Sequence, residues 1–250
     1  MNIIVCIKSV PVSDSIINIT AEGGRIDTTN LKFDLNPYDE YALEAAVQLK
    51  EQLGGNVTAL SLGPESHALS LKRALALGAD NLIQLTADDE TLSDALATTQ
   101  ILAETIKGLP YDLILCGKQS IDSGNATTGR ALAQLLNLPC VTAVVSLTIE
   151  DNRVIVAREL DGQRAVFECQ LPCILTAEKG LNKPRYPSLK DIMAARKKPT
   201  SFQKPLPAET ATTIIGYQHP APRHAGKIID NNPDAVPELL RFLKDSAGII

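Results

Sequence analysis

The sequence predicts an α/β fold: a mainly parallel sheet with helices on both faces, extended by an antiparallel hairpin and a C-terminal arm. Three observations predict it. Short continuous apolar runs recur between residues 3 and 149 and read as strands covered on both faces. Helix-period segments with their own starts and stops separate these runs, which is the rhythm of a parallel sheet built by crossovers. From residue 151 the pattern changes to alternating segments with turn signals, and from residue 181 to a proline-rich stretch.

The first strand is expected at residues 3–7. Asn36-Pro37-Tyr38-Asp39-Glu40 opens the first helix, with Asn36 as N-cap, Pro37 in the first turn, and two acids complementing the helix dipole. Ala42, Ala45, Ala46, Leu49 and Leu53 form its apolar stripe, and Gly54-Gly55 ends it. Residues 57–62 form a second strand closing at Gly63-Pro64. A helix carrying Ala68, Leu71, Leu75 and Ala76 follows to Gly78, and residues 82–85 form a third strand. Residues 91–106 read as a helix begun by Ser93 or Asp94. A fourth strand at 113–116 leads into a polar loop, a helix at 129–136 and a fifth strand at 141–149.

Asp151-Asn152 and Asp161-Gly162 are turn signals flanking alternating segments at 154–159 and 165–170, expected as antiparallel strands beside the parallel core. Pro184, Pro187, Pro199, Pro205, Pro207, Pro220 and Pro222 then crowd a segment that cannot build its own core. It is either an extended arm with something to wrap around or a disordered tail, with a last helix at 233–244. This divides the chain into an α/β domain with its hairpin at 1–180 and a loop-and-arm region at 181–250.

Composition narrows the function. The 250 residues are 44% hydrophobic and 21% charged, with 24 basic against 29 acidic side chains and a net charge of −5. That balance argues against binding a nucleic-acid backbone, which needs clustered Lys and Arg. No apolar run reaches the roughly 20 residues of a membrane helix. The N-terminus enters a strand without a basic leader, so a cytoplasmic protein without membrane insertion is expected. Cys6, Cys116, Cys140, Cys169 and Cys173 lie in or beside apolar segments and form no CxxC, while His67, His219 and His224 are scattered. Structural thiols, not metal ligands, are expected.

The stretch with chemical promise is Gly117-Lys118-Gln119-Ser120-Ile121-Asp122-Ser123-Gly124-Asn125-Ala126-Thr127-Thr128, at the carboxyl end of one strand and the start of a helix. Ligands of open α/β sheets bind there. Gly124 and Gly129 permit close backbone approach, and Asn125, Thr127 and Thr128 offer short polar groups. The helix start supplies N–H groups suited to an anion. The loop is either a phosphate or nucleotide site or one of the ordinary loops every parallel sheet carries. It has neither GxxxxGK[ST] nor GxGxxG. Cys6, Asn36 and Leu62 end or follow other strands and could meet in the same crevice. Asp94 and Thr98 line its rim, unless Asp94 is simply a helix N-cap. No nucleophile–base motif is present, and Asp122, Glu159 and Asp161 read as solvated acids.

At these residues the chain resembles the beta subunit of electron transfer flavoprotein. The resemblance is carried by Val5-Cys6-Ile7-Lys8, Asn36 to Glu40, Leu75-Ala76-Leu77-Gly78-Ala79-Asp80, Gly117 to Asp122, and Val156-Ala157-Arg158-Glu159-Leu160-Asp161-Gly162. Leu171 to Ala177 and Asn182 to Leu189 complete it. The resemblance implies a Rossmann-like, adenine-nucleotide-binding fold and a heterodimer with an alpha subunit that carries most of a shared FAD. AMP, or a second FAD in electron-bifurcating members, would lie in the beta crevice at Cys6, Asn36, Leu62, Asp94, Thr98 and the loop 117–128. Tyr38 and Glu159 would lie near the alpha-subunit flavin, and Leu189 would anchor partner docking. Implied partners are flavin dehydrogenases such as acyl-CoA dehydrogenases, and an acceptor such as ETF-quinone oxidoreductase. Ser13 stands where some members have Tyr. Thr128-Gly129 fits AMP-type members, whereas Asp94-Ala95-Leu96-Ala97-Thr98 resembles bifurcating ones. A stand-alone adenine-nucleotide sensor would need neither the hairpin nor the arm, and an ATP-cleaving ligase would need glycines after the first strand that Ser9 to Asp14 lack.

Overall fold

The computed structural model describes residues 1–20, 23–87, 94–222, 226, 228–229, 235–245 and 248. Residues 1–216 form one compact unit and residues 217–250 a second.

The first unit is built on a nine-stranded sheet. Its strands in chain order are β1 (Asn2–Cys6), β6 (Asn56–Gly63), β7 (Asn81–Thr86), β8 (Leu113–Gly117), β9 (Cys140–Glu150), β10 (Arg153–Leu160), β11 (Gln163–Gln170), β12 (Cys173–Ala177) and β13 (Thr200–Gln203). The intervening β2 (Ser9–Pro11) pairs with β5 (Phe33–Leu35), and β3 (Asn18–Ile19) with β4 (Ile26–Asp27), in two small antiparallel sheets. The large sheet runs β11-β10-β9-β12-β8-β1-β6-β7-β13. β1 is parallel to β6 and β8, β12 to β8 and β9, and β13 to β7, while β10 is antiparallel to both β9 and β11. The parallel core with its added antiparallel strands is therefore as expected.

Helices cover both faces. Alternation along the strands turns Ile3 and Val5 toward α1 (Pro37–Leu53), where they pack with Ala42, Leu43, Ala46 and Val47. Ile4 and Cys6 face the other way and join Ile101, Leu102 and Ile106 of α4 (Ala95–Lys107) and Leu132 of α5 (Thr128–Leu136). Such a sheet, buried on both sides, accounts for the unbroken apolar runs. Cys6, Cys116 and Cys173 are buried and all five thiols are free.

Four departures from expectation have physical reasons. The helix expected before Gly78 is broken into a 3-10 turn at Glu65–His67, α2 (Ala68–Leu71) and α3 (Arg73–Ala76). The Ser70 hydroxyl bonds the His67 carbonyl at 2.8 Å and meets the Ser9 hydroxyl at 2.6 Å, so a side chain competes with the regular helix ladder. β12, over the apolar run Cys173-Ile174-Leu175, is a buried strand not expected above, inserted between β9 and β8. The proline-rich segment is not a featureless arm throughout: it forms α6 (Leu189–Ala195) and then β13, which closes the sheet edge beside β7. Pro199 precedes β13 and only its carbonyl is used, accepting from the Leu82 N–H at 3.1 Å, so the missing N–H falls outside the ladder. Asn36 precedes α1 as expected, but its side chain does not cap the helix.

Of the two residues offered as starts for α4, Asp94 is the N-cap; Thr91 to Ser93 lie outside the described residues. In the second unit α7 spans Ala235–Asp245, and Pro233 likewise lies outside the described residues. Val236, Leu239, Leu240 and Phe242 of α7 are exposed.

Candidate functional site

The sheet order reverses at β1. From β1 the chain adds β6 and β7 on one side, then returns to place β8 and β12 on the other. The carboxyl ends of β1 and β8 therefore flank a switch point, the place where open α/β sheets leave a crevice. Lys8 follows β1 there, and the loop 117–128 leaves β8 and enters α5.

Two side chains at the start of α1 tie this loop to the end of β1. Asn36, 1% exposed, donates its amide to the Gln119 carbonyl at 2.9 Å and accepts from the Ile121 N–H at 3.1 Å. Asp39, 5% exposed, accepts from the Lys8 N–H at 2.7 Å with one oxygen and from the Gly117 N–H at 3.1 Å with the other. Burial pushes the Asp39 carboxyl up to about 7, against the Asn36 amide, the two N–H donors and the Lys8 charge, which favour ionisation. The Lys8 ammonium pairs with Asp122 in the loop at 2.7 Å, and Lys118 with Glu178 beyond β12 at 2.5 Å. The Lys118 N–H bonds the Ala177 carbonyl at 2.8 Å.

Beyond these anchors the loop opens to solvent. Ile121, Asp122, Ser123, Gly124 and Asn125 are exposed, while Ser120, Ala126, Thr127 and Thr128 are half-buried. Gly124 and Ala126 adopt positive φ, turning the chain into α5. Thr127 bonds the Asn125 carbonyl at 2.9 Å and makes no side-chain cap. No capping side chain thus takes up the first N–H groups of α5, in contrast to α4 and α6. Gly129 lets that helix start lie close on the sheet, since a Cβ there would come 2.4 Å from Thr176 Cγ2. An uncapped helix start beside Ser and Thr hydroxyls suits the phosphate of a small nucleotide.

The remaining sequence-derived residues separate into groups. Cys6 and Leu62 end β1 and β6 within the apolar cluster beneath α4 and α5. Thr98 is half-buried on the second turn of α4, and Tyr38 is half-buried on the first turn of α1. Asp94 is buried and fully engaged. One oxygen accepts from the Leu96 and Ala97 N–H groups, and the other from the N–H groups of Ala211 and Thr212 and the Thr212 hydroxyl, all at 2.8–2.9 Å. The Ala97 N–H and the Thr212 hydroxyl lead in holding its carboxyl down to about 2. Glu159 lies on the β10–β11 hairpin, opposite Arg164 at 3.9 Å, with β9 and β12 between β10 and β8. It does not join the crevice. Leu189 opens α6 and is 83% exposed.

Asp39 is the residue that sequence reasoning misses, because beside Glu40 it reads as a complement to the dipole. A signal for it is nonetheless present. Asp39 stands three residues before Ala42 and seven before Ala46, on the apolar stripe of α1, where an acid needs a buried partner.

The family model described as "Electron transfer flavoprotein domain" matches residues 24–205. The chain is 35% identical over 259 residues to electron transfer flavoprotein subunit beta of Bacillus subtilis, covering 100% of both chains. It is 33% identical over 257 residues to the protein of the same name from Bradyrhizobium diazoefficiens, again covering 100% of both. The caffeyl-CoA reductase-Etf complex subunit CarD of Acetobacterium woodii is 39% identical over 204 residues, covering 81% of this chain and 78% of that one.

Proposed function

The chain belongs to the electron transfer flavoprotein family as a beta subunit, and from that premise we propose that it pairs with an alpha subunit and holds AMP in the crevice between β1 and β8. The carrying observation is the loop 117–128, anchored by Asn36 and Asp39 and delivered to an uncapped helix start at a sheet switch point. Thr127, Thr128 and the first N–H groups of α5 would hold the phosphate, with Leu62 and Cys6 providing an apolar wall for the base. The subunit has no reaction of its own. It serves a cytoplasmic carrier whose FAD, shared with and mostly held by the alpha subunit, supplies the electron chemistry. Donors would be flavin dehydrogenases such as acyl-CoA dehydrogenases of fatty acid oxidation, and the acceptor an ETF-quinone oxidoreductase or its equivalent. Tyr38 and Glu159 would face the alpha-subunit flavin, and Leu189 would anchor the dehydrogenase. No described helix is long and apolar enough to cross a membrane.

A second FAD in the crevice is the competing reading, suggested by Asp94-Ala95-Leu96-Ala97-Thr98. The Asp94 carboxylate already accepts from five donors, which favours the smaller nucleotide. Mass spectrometry of nucleotide released from the purified heterodimer decides between them: one AMP and one FAD per dimer is expected. Two FAD per dimer, or no nucleotide beyond a single FAD, overturns the proposal.

A further inference from the structure

We propose that Asp39 is the positioning residue of the nucleotide crevice: it clamps the ends of β1 and β8 together and thereby fixes the arrangement of the loop 117–128. This rests on the nucleotide reading above only for its consequence in binding; the clamp itself stands on geometry. Asp39 receives an N–H from the end of each flanking strand, Lys8 on one side and Gly117 on the other. The fit is mutual. A Cβ on Gly117 would lie 2.2 Å from Asp39 Oδ1 and 2.8 Å from the backbone of Tyr38 and Asp39, so the carboxylate occupies the space that glycine leaves. Asn36, three residues earlier, grips the next two loop positions of the same parity, Gln119 and Ile121. Positions 36 and 39 thus hold 117, 119 and 121 as a unit.

A simple dipole complement does not need burial. Glu40 beside it reaches Arg73 at a partly exposed site. Asp39 bears the desolvation of a carboxylate inside the protein, and what it obtains there is two backbone donors, one to each of its oxygens. The charged and titratable groups around it are Lys8 beyond β1, Asp122 in the loop paired with Lys8, and the Cys116 thiol at the end of β8. Lys8 therefore contributes through its backbone and, with Asp122, through a second stitch over the same gap.

The test compares Asp39→Asn, which keeps one acceptor, with Asp39→Ala, which keeps none. Each is made in the heterodimer and read in two ways. By amide hydrogen exchange, segment 117–123 should lose protection about tenfold in Asp39→Asn and further in Asp39→Ala, as expected for one and two charge-assisted bonds. Residues 3–6 and 82–85 should keep theirs. Unchanged exchange at 117–123, or equal loss across the whole sheet, overturns the clamp. By calorimetry with AMP on nucleotide-stripped protein, the Kd should rise in the same order as the exchange rates. An unchanged Kd overturns the role in binding. Wild-type heterodimer that takes up no AMP overturns the nucleotide reading instead, and the exchange rates then decide the clamp by themselves.

Discussion

Asn36 and Ile121 are 85 residues apart in sequence, and the Asn36 side-chain oxygen accepts the Ile121 N–H at 3.1 Å while its amide donates to the Gln119 carbonyl. One buried amide therefore makes both kinds of bond that a loop backbone can offer. It satisfies the loop as a neighbouring strand would, without a strand being there.

Asn36→Ala should loosen the loop without disturbing the sheet. It removes two hydrogen bonds to the backbone of a partly exposed loop, each contributing about 0.5–1.5 kcal/mol. A lower melting temperature is expected, by roughly 2–4 °C per kcal/mol for a chain of this size. The heterodimer should also retain less AMP. Thermal melts with parallel nucleotide assay check this, and full AMP content would show that the remaining anchors at Asp39, Lys8 and Lys118 hold the loop without Asn36.

Asp39 and Asp94 oppose each other as pH changes. Asp39, raised to about 7 by burial, holds its proton more tightly folded than unfolded. Its contribution is complete below the ordinary value of 3.8 and is lost as pH rises through about 7, with a slope of at most ~1.4 kcal/mol per pH unit. Asp94, lowered to about 2, contributes above 3.8 and loses its contribution as pH falls through about 2. From pH 4 to pH 7 only the first trend operates. Stability by denaturant titration should therefore decline over that window in the wild type and decline less in Asp39→Asn. Parallel curves for the two proteins would assign the slope to another group.

Thr128→Val removes a hydroxyl at the start of α5 while keeping its shape. If it donates to a bound phosphate, the loss is one charge-assisted bond, about 1.5–3 kcal/mol. Weaker AMP retention and poorer dimer assembly are expected after gel filtration. Unchanged nucleotide content would remove Thr128 from the site.

Leu189→Ala tests docking apart from folding. The residue is exposed at the head of α6, whose start is held by the reciprocal Ser188–Asp191 capping box. Truncating an exposed side chain should leave the stability within about 0.5 kcal/mol of wild type. Electron transfer from a partner dehydrogenase should slow several-fold, since a well-packed interface anchor contributes more than about 1 kcal/mol. A clear fall in melting temperature with transfer per folded dimer intact would make Leu189 a structural residue.

Local signals in the sequence were enough for the strands β1, β6, β7, β8 and β9, for α1, α4 and α5, and for the hairpin at 153–170, because period-two and period-3.6 patterns record which faces are covered. They also placed the loop 117–128 at a strand end, since strand, glycine and helix follow one another along the chain. They did not place β12 between β9 and β8 or β13 beside β7, because pairing order in a sheet depends on partners remote in sequence. The same limit applies at the site. Asn36 has the sequence context of an N-cap and Asp39 that of a dipole complement, and both local roles are plausible while the helix is considered alone. Only when β8 returns to lie beside β1 do Gln119, Ile121 and the Gly117 N–H come within reach, and buried polar groups then take the partners that water no longer provides.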